Sequence, residues 1–82
     1  MPDETDAERI KEIFIEQLEF DESLWYRDLT FEELGTDSMD AIELLVALEQ
    51  NFDIELDDDS FFACQTVGEV VDIVLAALEN ER

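Results

Sequence analysis

Leu34-Gly35-Thr36-Asp37-Ser38-Met39-Asp40-Ala41-Ile42-Glu43-Leu44-Leu45-Val46-Ala47-Leu48-Glu49 is the stretch that organises the chain. Gly35 permits a backbone turn that other residues resist. Asp37 carries the short acceptor side chain of a good N-cap. The spacing that follows predicts a helix over 38–52 with Ser38 at its mouth. With Ser38 at zero and about 100° per residue, Ala41, Leu44, Leu45, Leu48 and Phe52 fall within roughly 240–340°, an arc that must face a core. Met39, Ile42 and Val46 fall at roughly 40–100°, away from it. One apolar stripe is enough to dock a helix in a small bundle. The second stripe either widens the core face or, bordered by Asp40, Glu43 and Glu49, forms an apolar docking strip inside a charged rim.

The flanking sequence predicts more helices and no strands. Thr5 and Glu8 fit a capping box before Ala7, Ile10, Ile13, Phe14 and Leu18, which recur at helical spacing over residues 6–19. Asp57-Asp58-Asp59 leads into Ser60-Phe61-Phe62-Ala63, a short helix of residues 58–63 with acids in its first turn, where the helix dipole favours them. Thr66 and Glu69 form a second box, opening a helix of residues 67–80 with Val67, Val70, Val71, Val74, Leu75 and Leu78 on one face. The fold expected is an all-α, four-helix bundle of three longer helices and one short one, a single domain over 1–82. The connection over 20–37 is long for such a bundle. It is read as packed down through Phe20, Leu24, Trp25, Leu29, Phe31 and Leu34, either as a functional loop or as a crossover between parallel helices.

Composition narrows the function. The 82 residues include 25 Asp and Glu, 4 Lys and Arg and no His, a formal charge of −21, while 46% are apolar, too many for an acidic disordered tail. Between Arg27 and Arg82 every charged side chain is negative. Nucleic acid and anionic membranes would repel such a surface, so basic protein surfaces are the expected partners. One cysteine, Cys64, rules out an intramolecular disulfide, and it reads as a buried packing residue. Met1-Pro2-Asp3-Glu4 is not a signal peptide, and no apolar run approaches a membrane span. A cytoplasmic monomer is expected.

Ser38 has no neighbouring base, because His is absent and Lys11 belongs to the first helix, so autonomous nucleophilic catalysis is not expected. It reads either as an ordinary first-turn residue or as a group modified by an enzyme that brings its own base. An attached phosphodiester would sit near free backbone amides, opposed by Asp37 and Asp40. The competing class is an acidic scaffold or cation-binding domain without a prosthetic group. The run Asp53-Ile54-Glu55-Leu56-Asp57-Asp58-Asp59 alternates acids like a calcium loop. It has Asp58 where that loop needs Gly and Cys64 where it needs Glu.

The motif Leu34-Gly35-Thr36-Asp37-Ser38-Met39 resembles the Leu-Gly-x-Asp-Ser-Leu signature of acyl carrier proteins. Asp40 to Leu56 resembles that family's second helix and exit, and Thr66-Val67-Gly68 the start of its last helix. The resemblance covers about residues 7–80. It implies 4′-phosphopantetheine, taken from coenzyme A and joined to Ser38 by a phosphopantetheinyl transferase, with acyl groups held as thioesters on the arm. It implies no enzymatic activity of the chain itself. It also implies a surface of Asp37, Met39, Asp40, Ile42, Glu43, Val46 and Glu49 for basic-surfaced acyl-transfer or synthase enzymes of fatty acid, polyketide or related lipid biosynthesis. Met39 for the usual leucine, Gln50 for a common acid, Asp57 for a frequent proline, Trp25-Tyr26-Arg27 and the Phe61-Phe62 pair point to a specialised carrier. The short Phe31-Glu32-Glu33-Leu34 spacing is closer to polyketide-type domains. A cavity near Leu45, Leu48, Phe61 and Phe62 is expected to shelter part of an acyl chain.

Overall fold

Each long helix carries one apolar face, and the three faces close on one another. Ile10, Ile13 and Phe14 of the first, Leu44, Leu45, Ala47 and Leu48 of the second, and Val67, Val70, Val71, Val74 and Leu78 of the last form one buried cluster. In the computed structural model, which describes residues 4–81 without the side chains of Glu4, Thr5 and Glu81, the helices are α1 (Glu4–Leu18), α2 (Phe31–Leu34), α3 (Ser38–Phe52), α4 (Asp58–Ala63) and α5 (Val67–Glu81). A 3-10 turn spans Glu22–Leu24. α1 begins at Glu4, so Thr5 lies inside the helix and is not the N-cap expected for a helix starting at residue 6; Met1-Pro2-Asp3 lie outside the described residues. The all-α bundle expected from the periodicity is present, with α4 as its short helix.

Helix ends follow local chemistry. Glu19 takes a left-handed φ of 52° and α1 stops at Leu18, one residue before the expected end. Asp53 does the same for α3, with φ 54°. At the start of α5, Thr66 Oγ1 accepts from the Glu69 N–H at 3.3 Å, while the Glu69 carboxylate accepts from Gln65. The second box is therefore only half reciprocal.

The 20–37 connection departs most from expectation. It contains the 3-10 turn and α2, a four-residue helix with a full capping box: Glu33 N–H donates to Thr30 Oγ1 at 3.0 Å, and the Glu33 carboxylate accepts from Thr30 N–H. Gly35, at φ 70°, closes it in the left-handed conformation glycine tolerates best. Leu29 is buried, while Phe20, Trp25, Phe31 and Leu34 are partly buried against the core. Phe14 meets Trp25 edge-on at 5.3 Å and stacks on Phe31 at 6.2 Å. Leu24 is the exception, 52% exposed rather than packed down.

The segment is also stitched to α5. Val67 N–H donates to Leu29 O and Gly68 N–H to Arg27 O, both at 2.9 Å, and Phe31 N–H donates to Gln65 O at 3.2 Å. A Cβ on Gly68 would stand 2.9 Å from Arg27 O, so this approach requires glycine. Arg27 reaches along α5 to hold Asp72 with two bonds of 2.8 and 3.2 Å.

The connection does not serve a parallel crossover. Arg9, near the start of α1, donates to Asn51 O at 3.0 Å and lies over the Phe52 ring at the end of α3. Gln17, near the end of α1, shares a groove with Ile42 and Val46. The two helices are antiparallel neighbours, and Arg9 covers the last turn of α3, where the dipole favours a cation.

Candidate functional site

The start of α3 is fixed by two carboxylates turned onto the backbone. Asp40 N–H donates to Asp37 Oδ1 at 2.9 Å, and Asp37 N–H donates to Asp40 Oδ2 at 3.5 Å. This reciprocal box caps the first turn and leaves Ser38, the first helical residue, exposed. Its hydroxyl has room around it, and the first amides of a 15-residue helix have no intrahelical partners. Both features fit a phosphodiester on Ser38.

Beside Ser38 opens a cavity of about 190 Å³, lined by Phe31, Asp37, Ala41, Phe61, Phe62 and Cys64, among others. The expected cavity is thus displaced: Leu45 and Leu48 are buried in the core and do not line it. Phe61 and Phe62 do, ring to ring at 5.3 Å and 86°. Cys64 is half-buried rather than buried, with its Sγ near Ser60 O at 3.3 Å. Burial, together with the negative charges of Glu69 and Asp72, pushes its thiol above the ordinary range, so it stays protonated near neutrality. Phe31 and Cys64 were not expected here. No sequence signal marked them: Phe31 N–H donates to Gln65 O, next to Cys64, a contact that only the fold reveals.

The two stripes of α3 separate as the rotation implies. Leu44, Leu45 and Leu48 are buried, Ala41 and Phe52 half-buried. Met39 is 65% exposed, Ile42 47% and Val46 42%. The second stripe does not widen the core face. Ala47 is buried as well, on the side flanked by Gln17 of α1.

The acids around that stripe differ in freedom. Glu43 is exposed. Asp37 and Asp40 are engaged in the helix cap. Glu49 is half-buried and accepts from Leu56 N–H at 2.9 Å, tying α3 to the segment before α4. Asp57, from the calcium-like run, caps α4 by accepting from Ser60 N–H and Oγ. Among the described residues, no three or more of His, Cys, Asp and Glu are grouped to hold a metal ion, and no helix is long and apolar enough to cross a membrane.

A family model described as the phosphopantetheine attachment site matches residues 8–74. Among solved structures, the chain is similar to an acyl carrier protein from Thermotoga maritima. The two share 29% identity over 95% of this chain and 92% of that one, with a TM-score of 0.80. It is also similar to a hexanoyl acyl carrier protein of the actinorhodin polyketide synthase from Streptomyces coelicolor. Here identity is 25% over 93% of each chain, again with a TM-score of 0.80.

Proposed function

The chain belongs to the acyl carrier protein family, non-enzymatic carriers with covalently bound 4′-phosphopantetheine, and we propose that Ser38 anchors the arm and that the exposed stripe of α3 docks the enzymes it serves. The observation that carries this reading is the exposed Ser38 at a capped helix start, with a cavity on one side and Met39, Ile42 and Val46 on the other.

In loading, Ser38 Oγ gives its proton to a base of the transferase and gains the phosphodiester bond as coenzyme A releases adenosine 3′,5′-bisphosphate. When bound, the arm would supply the thiol that holds an acyl group as a thioester. The residues of the chain then bind and orient. Glu43 and the cap acids Asp37 and Asp40 attract basic patches on successive enzymes, Glu49 adds charge, and Met39, Ile42 and Val46 supply apolar contact. Exposed charge pairs are screened by salt, which suits rapid exchange of partners. Tethering at Ser38 turns the search of cargo for an active site into a local one.

The cargo proposed is an acyl intermediate of fatty acid, polyketide or related lipid synthesis. The cavity of about 190 Å³ beside Ser38 shelters part of its chain. Nuclear magnetic resonance shifts of Phe61 and Phe62 should then follow acyl length. Invariant shifts would exclude sheltering. The attachment itself is tested by incubation with coenzyme A and a broad-specificity phosphopantetheinyl transferase. A gain of about 340 Da, one arm, is expected, and it should vanish in Ser38→Ala but persist in Ser23→Ala and Ser60→Ala. No gain in the wild-type chain would refute the reading.

A further inference from the structure

Phe62 is an aromatic ring the fold does not need. Its neighbour Phe61 takes the core position at 3% exposure, whereas Phe62 is 50% exposed on a helix of six residues. Phe62 meets Phe61 edge to face at 5.3 Å, which leaves the other side of its ring open to a partner. Asp58 and Asp59, both exposed, precede it by one helical turn.

We propose that Phe62 is a docking contact of the phosphopantetheinyl transferase, an anchor that the enzyme buries as it closes over Ser38. The inference rests on Ser38 being the attachment residue. An enzyme that delivers a phosphoryl group to Ser38 Oγ must cover what surrounds that oxygen, and Phe62 lines the same cavity. The docking surface therefore extends from the α3 stripe across the cavity mouth onto α4. The matching surface on the enzyme is an apolar hollow edged by Arg or Lys. A guanidinium there stacks on the ring face while pairing with Asp58 or Asp59. Aromatic anchors of this kind concentrate binding energy at interfaces.

The test is steady-state loading by a broad-specificity transferase, with the carrier concentration varied at saturating coenzyme A. Phe62→Ala should raise KM about 5–10-fold with kcat preserved, the scale of withholding half a phenylalanine from an apolar interface. Phe62→Tyr, which keeps the ring, should restore wild-type KM, and Phe62→Leu should fall between. Circular dichroism melting accompanies each variant. Should Phe62→Ala melt below the assay temperature, p-benzoylphenylalanine at position 62 gives a second reading: it should photo-crosslink to the transferase, with excess wild-type carrier as competitor. An unchanged KM in folded Phe62→Ala, a loss confined to kcat, or no crosslink would overturn the proposal. Wild-type carrier that loads while Phe62→Ala loads equally well removes only the Phe62 contact. Wild-type carrier that never gains mass removes the Ser38 reading as well.

Discussion

Ile42 and Leu44 stand two residues apart on one helix and should fail in opposite ways when truncated. Leu44 is fully buried, so Leu44→Ala removes apolar contact and leaves a cavity, at a cost of about 2–5 kcal/mol. For a chain of this size each kcal/mol moves the melting temperature by about 4–8 °C, so the midpoint should fall by roughly 8–40 °C. Ile42 is 47% exposed. About half of the ~1.5–3 kcal/mol available from burying such a side chain is absent from the folded monomer. Alanine's better helix propensity offsets some of the remainder. Ile42→Ala should cost about 1 kcal/mol or less, a shift of no more than roughly 8 °C. The exposed half is what a docked enzyme would cover, so KM for transferase loading should rise about 3–5-fold. Circular dichroism melting and the loading assay read the two effects separately. If Ile42→Ala melted as early as Leu44→Ala, or if its KM matched wild type, the division of α3 into a core face and a docking face would be wrong.

Gly68→Ala sets helix propensity, a gain of about 1 kcal/mol, against a Cβ placed 2.9 Å from Arg27 O, where overpacking costs about 1–3 kcal/mol. The clash should win and lower the melting midpoint by several degrees, whereas a higher midpoint would show that the Arg27 segment yields. Tyr26, the single tyrosine, donates its hydroxyl to Glu33 Oε2 at 3.1 Å, and that bond raises its pKa. The neutral phenol is the form the fold favours, so this contribution is full below the ordinary tyrosine range and fades as pH rises through the raised value. Phenolate absorbance should appear later than in the unfolded chain and move back toward the unfolded range in Glu33→Gln; coincident titrations of the folded and unfolded chain would contradict it. With a formal charge of −21, self-repulsion weakens the compact state. Added magnesium or sodium chloride should therefore raise the melting temperature, and a flat response would count against that account.

The features readable from the chain alone were those governed by one helix at a time. The 100° rotation separated Leu44 and Leu48 from Met39, Ile42 and Val46 because α3 is long and regular. Asp37 was readable as its cap, but the reciprocal bond from Asp40 was not, because capping boxes are recognised by Glu or Gln at that position. The same signature, Thr30 with Glu33 and then Gly35, marked α2 in plain view and was hidden by the irregular apolar spacing around it. What depended on how helices meet stayed out of reach. The antiparallel pairing of α1 and α3 rests on Arg9 meeting Asn51 and Phe52. Cys64 and Phe31 join the Ser38 cavity because backbone bonds across the Thr30–Thr66 bridge bring residues more than thirty positions apart together.

Fragment-ion mass spectrometry of the chain after loading, with each serine resolved, bears on the whole account at once. The arm should be found on Ser38 alone, in the peptide that carries the start of α3. Its appearance on Ser23 or Ser60, or an unmodified Ser38 in a chain that has gained the mass, would contradict it.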